Sequence, residues 1–363
     1  MKHSLFLILF FSCLASFASA ENNDHRFDDY RIVQRTYSVS PETSLEVTNM
    51  YGNVTFNSWD ADSVKIYVKI TAYSESSGDL REMLEDIHVE VQKSSNFIIV
   101  ESDWSDDVGF LKKGVYDIQQ GLGSNKRIEV DVEISLPAYV DLEVTNKFGD
   151  VFMGDHDGEV DIDLSHGDLR AHDLTKPGKI KVAYGKIDIQ ELGGGRLELS
   201  YCEDAAIEKV RELYLKTNSS EVEIEEADEL RLDCRHDEIH VESARKILGT
   251  AFLTDIMVED LEESIDMNTR MGEVRLRNVS SDLKLVKLGT NMTDVIVELD
   301  PFFMGSIRLD LDNVKNSSIS VDDKEIIQDD QSEDDRVLVM NVAGDDTPII
   351  DITSKGGYFR LTK

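Results

Sequence analysis

Apolar and polar residues alternate in short runs along most of this chain, and the runs recur. Leu213-Tyr-Leu-Lys with Val222-Glu-Ile-Glu, Leu230-Arg-Leu-Asp with Ile239-His-Val-Glu, and Ile265-Asp-Met-Asn with Val274-Arg-Leu-Arg follow one template. Period-2 alternation marks a strand with one buried face, so each unit predicts two strands of about four residues around a turn. The phrase Leu45-Glu-Val-Thr-Asn-Met-Tyr-Gly-Asn-Val54 returns as Leu142-Glu-Val-Thr-Asn-Lys-Phe-Gly-Asp-Val151. Weaker copies open at Val160, Ile180, Leu197, Leu213, Leu230, Ile247, Ile265, Leu283 and Ile307, mostly 16 to 20 residues apart. A period of this size belongs to repeats that bury their apolar faces only against one another. The pattern therefore predicts an all-β chain: a parallel β-solenoid, or β-helix, of roughly 17-residue two-strand repeats with capped ends.

Glycine recurs between the two strands of a unit, at Gly52, Gly149, Gly167, Gly185 and Gly272. It suits a corner that needs positive φ. Asn53, Asp150, Asp168 and Glu273 follow, where a short polar side chain can bond the turn backbone. Tyr51, Phe148, Tyr184, Tyr201 and Met271 stand just before the corner. They are expected to fold over it and seal the core; the competing reading is an outer column that stacks on sugar rings.

Residues 1–20 read as a secretory signal, with Lys2 and His3 before the apolar run Leu5–Phe11 and cleavage after Ala20 in Ala18-Ser19-Ala20. Lipidation at Cys13 is the lesser alternative, because Phe10-Phe11-Ser12 lacks the usual leucine. No other segment approaches the roughly 20 apolar residues that span a bilayer. Residues 21–137 then hold the first rung and a capping excursion. It comprises a strand over Val64–Ala72, a helix over Asp79–Ile87 and a hairpin across Ser94-Ser95-Asn96. An irregular stretch over Trp104–Asn125 and a strand over Ile128–Leu136 complete it. The excursion sets the Leu45 rung apart from those that begin at Leu142. Residues 138–321 are the repeats, 322–336 an acidic loop, and 337–363 C-terminal capping strands.

The formal net charge of -35 argues against nucleic acid as a partner, since its phosphates demand Lys and Arg, and such a surface repels anionic membranes. It fits a solvated exterior, or one that binds divalent cations or a basic partner. Cys202 and Cys234 belong to units with a third between them, about 10 Å apart at about 4.8 Å per strand. A disulfide needs Cα atoms within about 7 Å. Two free, half-buried thiols are expected.

The order Tyr51-Gly52-Asn53-Val54, Ser58-Trp59-Asp60, a strand from Val64, a short helix at Asp79 and the Leu136-Pro137 step before Leu142 resembles a known family. It is the bacterial "putative adhesin" family of exported β-solenoid proteins, a domain of unknown function, over roughly residues 30 to 320. The resemblance implies a β-solenoid in the bacterial envelope, periplasmic or on the outer surface, and brings no catalytic residues. The chain departs from the pattern at Cys202 and Thr290, near expected glycine turns.

The densest polar cluster runs from Asp155 to Asp173. Asp155, Asp157, His166 and His172 are the candidate metal ligands, for Zn²⁺ or Ca²⁺, although no closed metal motif is present. Solvated turn chemistry is the favoured account of them. Ser165, His166 and Asp168 have the types of a hydrolytic triad but are too close in sequence to converge. No nucleophile elbow, phosphate loop or dinucleotide fingerprint occurs, and no cofactor is implied. Asn-x-Ser/Thr sequons at Asn53, Asn218, Asn278, Asn291 and Asn316 read as turn asparagines. The favoured function is a non-enzymatic exported binding or scaffold protein whose partner is an envelope protein or a glycan. The alternatives are a carbohydrate-active lyase or hydrolase with a carboxylate or metal site, and an envelope-stress signalling accessory.

Overall fold

A computed structural model describes residues 27–104, 126–279, 282–314, 317–320, 326–331, 335–340 and 349–363. The signal segment, its cleavage site at Ala20 and the stretch 105–125 lie outside the described residues. Within them the chain is all-β, with one helix, and 23 strands belong to one hydrogen-bonded sheet.

The N-terminal excursion opens with β1 (Phe27–Ser38), which runs antiparallel to β4 (Ser63–Ser74). The twin phrases contribute β2 (Ser44–Met50) and β3 (Val54–Ser58) from the first copy. Helix α1 (Ser77–Glu85) follows β4. Its Leu80, Met83 and Leu84, spaced i, i+3, i+4, give the single buried stripe a surface helix needs, and Asp79 favours its first turn. The hairpin β5 (Ile87–Ser94) and β6 (Phe97–Trp104) lays β6 parallel to β2, and β7 (Arg127–Leu136) pairs with β3 and β4.

The second copy forms β8 (Asp141–Lys147) and β9 (Val151–Met153). It lies in parallel against the first, Leu45 beside Leu142, Asn49 beside Asn146 and Val54 beside Val151. The Leu45 rung is therefore not set apart. The excursion leaves the ladder and returns to it, because two matching apolar faces are best covered by each other.

The ladder continues through β10 (His156–Ser165), β11 (Leu169–Ala183), β12 (Ile187–Leu192), β13 (Arg196–Ser200), β14 (Ala205–Asn218), β15 (Glu221–Arg235), β16 (Glu238–Val279) and β17 (Leu285–Leu299). One buried column runs Val47, Val144, Ile162, Ile180, Leu197, Leu215, Leu232 in parallel register. A second runs Val54, Val151, Leu169, Ile187, Ala205, Val222, Ile239. Pairing persists through many corners, so β16 is one strand of 42 residues and not a set of four-residue pieces.

The unit openings read from sequence slip against this register. Ile180 stands beside Ile162, past a bulge, and Leu197 stands beside Leu215 while Leu213 stands beside Leu230. Val286, not Leu283, is the partner of Ile265. The slips at Ile180 and Leu213 are of two residues, which keeps every apolar side chain on the same face, so alternation alone cannot detect them.

The C-terminal strands are β18 (Ile307–Asp312), β19 (Ser318–Ser320), β20 (Ile326–Gln331), β21 (Asp335–Met340), β22 (Ile350–Lys355) and β23 (Phe359–Thr362). β22 inserts between β17 and β18, with Val286, Ile350 and Ile307 in line, and β23 inserts between β17 and β19. Residues 350–362 are thus interior rungs, where terminal capping strands were expected. The terminal cover is antiparallel, β21 on β18 and β20 on β21. β20 lies in the acidic segment expected to be a loop, held in part by Arg336, whose fork meets both carboxylate oxygens of Asp329 at 2.9 Å. Strands of opposite sense thus cover the parallel ladder beyond β18, as β4 covers β7 and β5 covers β6 at the other end.

Candidate binding ridge

At one corner, each rung places a residue in the left-handed backbone region: Tyr51 (φ 62°), Phe148 (59°), His166 (58°), Tyr184 (59°), Tyr201 (57°), Ser219 (55°), His236 (60°), Leu253 (51°), Met271 (60°) and Met292 (51°). Amides lock them in register: Phe148 N donates to Ser165 O, His166 N to Ala183 O, Tyr184 N to Ser200 O, Tyr201 N to Asn218 O and Ser219 N to Arg235 O, each at 2.9–3.0 Å. The strained residue is thus the one before the glycine; Gly52, Gly149, Gly167 and Gly185 do not have positive φ, whereas Gly272 does (108°). The requirement at the first four is steric. A Cβ on Gly167 would lie 2.0 Å from the Gly149 carbonyl oxygen, and one on Gly185 1.9 Å from that of Gly167.

Left-handed geometry throws the preceding side chain outward, which corrects the expectation that it seals the core. Tyr51, Phe148, His166, Tyr184 and Tyr201 stack as a ladder of five rings, with centroid steps of 5.2, 5.0, 4.8 and 4.9 Å and interplanar angles of 8° or less. Phe148, Tyr184 and Tyr201 are 41, 53 and 49% exposed, and Leu253 and Met292 extend the same ridge. The inner rings cover one another's faces, leaving edges outward, so a sugar ring cannot lie flat on them. His166 and Ser219 were not recognised as ridge members from sequence. The signal was present in their spacing: His166 is 18 residues from both Phe148 and Tyr184, and Ser219 is 18 from Tyr201.

The acids beside the ridge hold the neighbouring rung, not their own turn. Asp131 Oδ1 accepts from Asn53 N at 3.0 Å, Asn53 Oδ1 from Asp150 N, Asp150 Oδ1 from Asp168 N and Asp168 Oδ1 from Lys186 N, the last three at 2.9 Å. Asp255 does the same for Glu273 N and Asp294 for Tyr358 N, both at 2.8 Å. Much of the acidity at this corner is thereby structural.

Beneath the ridge, the slot filled by Gly167 and Gly185 passes to Cys202, Ser220, Asp237 and Thr254 before Gly272. Cys202 N donates to Ser220 Oγ at 3.2 Å and Asp237 N to Thr254 Oγ1 at 3.4 Å, so the register runs unbroken through Cys202. Asp237 is buried and accepts from Thr217 Oγ1 at 2.6 Å, from Ser220 N at 2.8 Å and from Arg235 N. Burial nonetheless raises its pKa, outweighing those bonds. Cys202 and Cys234 are free thiols, and fully buried where half-burial was expected. Burial raises both pKa values, that of Cys234 to about 12.

The candidate metal ligands do not share a centre. His172 Nδ1 lies 3.5 Å from Asp155 Oδ1 on the surface. Asp157 Oδ1 accepts from Thr175 Oγ1 at 3.0 Å, and His166 belongs to the ring ladder. His156, in the same polar cluster, heads a buried column above Leu174 and bonds the Val140 carbonyl at 2.7 Å; burial lowers its pKa. Among the described residues no group of three or more His, Cys, Asp or Glu is placed to hold a metal ion. In a shallow depression lined by Glu143, Asp161 and Asp163, Asp161 takes the Lys179 amide and Asp163 pairs with Lys181 at 3.0 Å. Among the described residues no helix is long and apolar enough to cross a membrane.

No family model and no curated protein matches the chain. Among solved structures it is similar to a "putative adhesin" from Bacteroides fragilis (13% identity, TM-score 0.34) and to another from Parabacteroides distasonis (12%, TM-score 0.33). It is also similar to a "putative lipid binding protein" from Parabacteroides distasonis (11%, TM-score 0.34). Each similarity covers 74% of this chain and 97% of the other.

Proposed function

We propose that this chain is a non-enzymatic, exported binding or scaffold protein of the bacterial envelope, wound as a parallel β-solenoid. Its contact surface is the corner ridge. The observation that carries this reading is the ring ladder Tyr51–Phe148–His166–Tyr184–Tyr201, an ordered, solvent-facing apolar strip on a protein of net charge -35. Exposed aromatics held rigid by neighbours contribute contact area at little cost in conformational entropy. Parallel pairing at steps of 17 or 18 residues on two faces, joined by a repeated corner, supports the solenoid winding. An enzyme reading has no comparable support: Asp150, Asp161 and Asp168 are tied to backbone amides and Asp163 to Lys181.

The test compares the mature protein with a Phe148→Ala/Tyr184→Ala/Tyr201→Ala variant on a glycan array and in cross-linking to envelope proteins. Specific binding is expected to disappear in the variant, with the melting transition kept. Equal binding by both proteins would remove the ridge as the contact surface. A rise of several degrees in Tm with Ca²⁺ or Zn²⁺ would instead favour a metal-dependent role.

A further inference from the structure

The ring ladder stops one rung short of continuing. Tyr201 has Tyr184 against one face, while the rung on its other side carries Ser219, and the rung after that His236. Ring steps within the ladder are 4.8–5.2 Å, so a missing ring at Ser219 leaves a notch one planar group thick beyond Tyr201. Tyr201 is 49% exposed and makes no second ring contact among the described residues.

Charge at the notch has one sign on its downstream flank. Two residues past each corner stand Glu203, Glu221 and Glu238, all exposed, with Glu221 and Glu238 in direct register. Neither Glu221 nor Glu238 makes an ion pair among the described residues. A ligand for this place is flat, cationic and rich in donors. A guanidinium meets all three conditions: it is planar, stacks on aromatic faces and presents its donors in its own plane, where carboxylates can accept them.

The chain already pairs guanidinium with ring, one position before the corner at Arg235, Phe252 and Arg270 and between paired strands at Arg196 and Tyr214. Arg235 and Arg270 stand against the Phe252 ring at 6.0 and 5.8 Å, and Arg196 lies 4.6 Å from the Tyr214 centroid. Guanidinium and ring thus alternate along Arg235, Phe252 and Arg270, at 5.8–6.0 Å. We infer that the notch over Ser219 is a binding site for an arginine side chain of a basic partner protein, stacked on Tyr201 and held at its edge by Glu221 and Glu238. This rests on the corner ridge being the contact surface and names the chemistry of its partner.

The test is an NMR titration of the mature protein, labelled at tyrosine ring carbons, with N-acetyl-argininamide. N-acetyl-citrullinamide, flat but uncharged, and methyl β-glucoside serve as comparison probes. The expected result is a saturable shift of the Tyr201 ring with the arginine probe alone. Ser219→Tyr, which completes the ladder, is expected to weaken that binding by about threefold or more, the scale of an exposed cation–π contact. Phe302→Ala, at an exposed ring outside the ladder, is expected to leave it unchanged. Absence of a Tyr201 shift, an equal shift with citrulline or the glucoside, or undiminished binding in Ser219→Tyr would each overturn the proposal. If envelope or glycan binding survives in Ser219→Tyr but is lost in the three-ring variant, the ridge stands and the notch alone is wrong.

Discussion

The side-chain amide of Asn49 donates to the carboxamide oxygen of Asn146 at 3.3 Å, across 97 residues of chain. Both are buried. Asn146 Nδ2 also reaches the carbonyls of Gly52 and Gly149, at 3.1 and 2.8 Å, and Asn49 Nδ2 those of Gly52 and Val130, at 3.2 and 2.9 Å. The same residue of the twin phrases thus bonds the corner carbonyls of Gly52 and Gly149. Where the two copies meet, the asparagines pin their corners together.

Removing either amide leaves buried carbonyls unpaired, which costs about 1–3 kcal/mol per group. Asn146→Ala is expected to destabilise the protein by about that amount, and Asn49→Ala by a similar one. A double-mutant cycle in denaturant melts should give a coupling above about 0.5 kcal/mol, because the two share the Gly52 oxygen. Strict additivity would mean that the corners are held independently.

Gly167→Ala puts a methyl 2.0 Å from the Gly149 carbonyl oxygen, whereas a Cβ at Gly154 meets nothing within 4 Å. Overpacking against backbone costs about 1–3 kcal/mol, so Gly167→Ala should lower the midpoint clearly and Gly154→Ala hardly at all. The comparison isolates stacking distance, since neither glycine has positive φ. Equal losses in the two variants would sink the steric account.

Asp237 carries a pH dependence of defined sign. Its folded pKa is raised by burial, so the folded state holds the proton more tightly than the unfolded chain. That contribution is fully present below the ordinary carboxylate value and is lost as pH rises through the folded value. Asp237→Ser, which copies the Ser220 rung, removes the effect. The Tm of the variant relative to the parent should therefore increase with pH across the weakly acidic range. A flat difference would show that the hydrogen bonds from Thr217, Ser220 and Arg235 offset burial completely.

The thiols of Cys202 and Cys234 should be silent to a disulfide reagent at pH 8 in the folded protein, and both should react in guanidinium. Burial lowers access and keeps the reactive thiolate scarce, most strongly at Cys234 with its pKa near 12. Rapid reaction of either in the native state would mean that its rung opens.

Much of the architecture was legible because it follows from residue type at fixed spacing. Leu80, Met83 and Leu84 announced a helix stripe, and the alternation in Leu142-Glu-Val-Thr announced strands. The candidate site was less legible. The rings of Tyr51, Phe148, Tyr184 and Tyr201 were picked out, but their direction was misjudged. Which residue of a corner takes positive φ is decided by how closely the next rung's backbone approaches, and no local pattern records that distance. The four candidate metal ligands had the reverse fate, close in sequence but distributed over a ring stack, an exposed pair and a hydroxyl contact.

By itself, then, the sequence determined an all-β chain, its repeat length and its buried faces, since alternation and period are properties of the order of residues. The tertiary structure decided the rest: that Leu45 lies against Leu142, that residues 350–362 enter the ladder between earlier strands, and that five rings face solvent as one column. Each of these depends on which backbones lie side by side. A period-2 pattern cannot fix that choice, because it looks the same after a slip of two residues or an exchange of rungs.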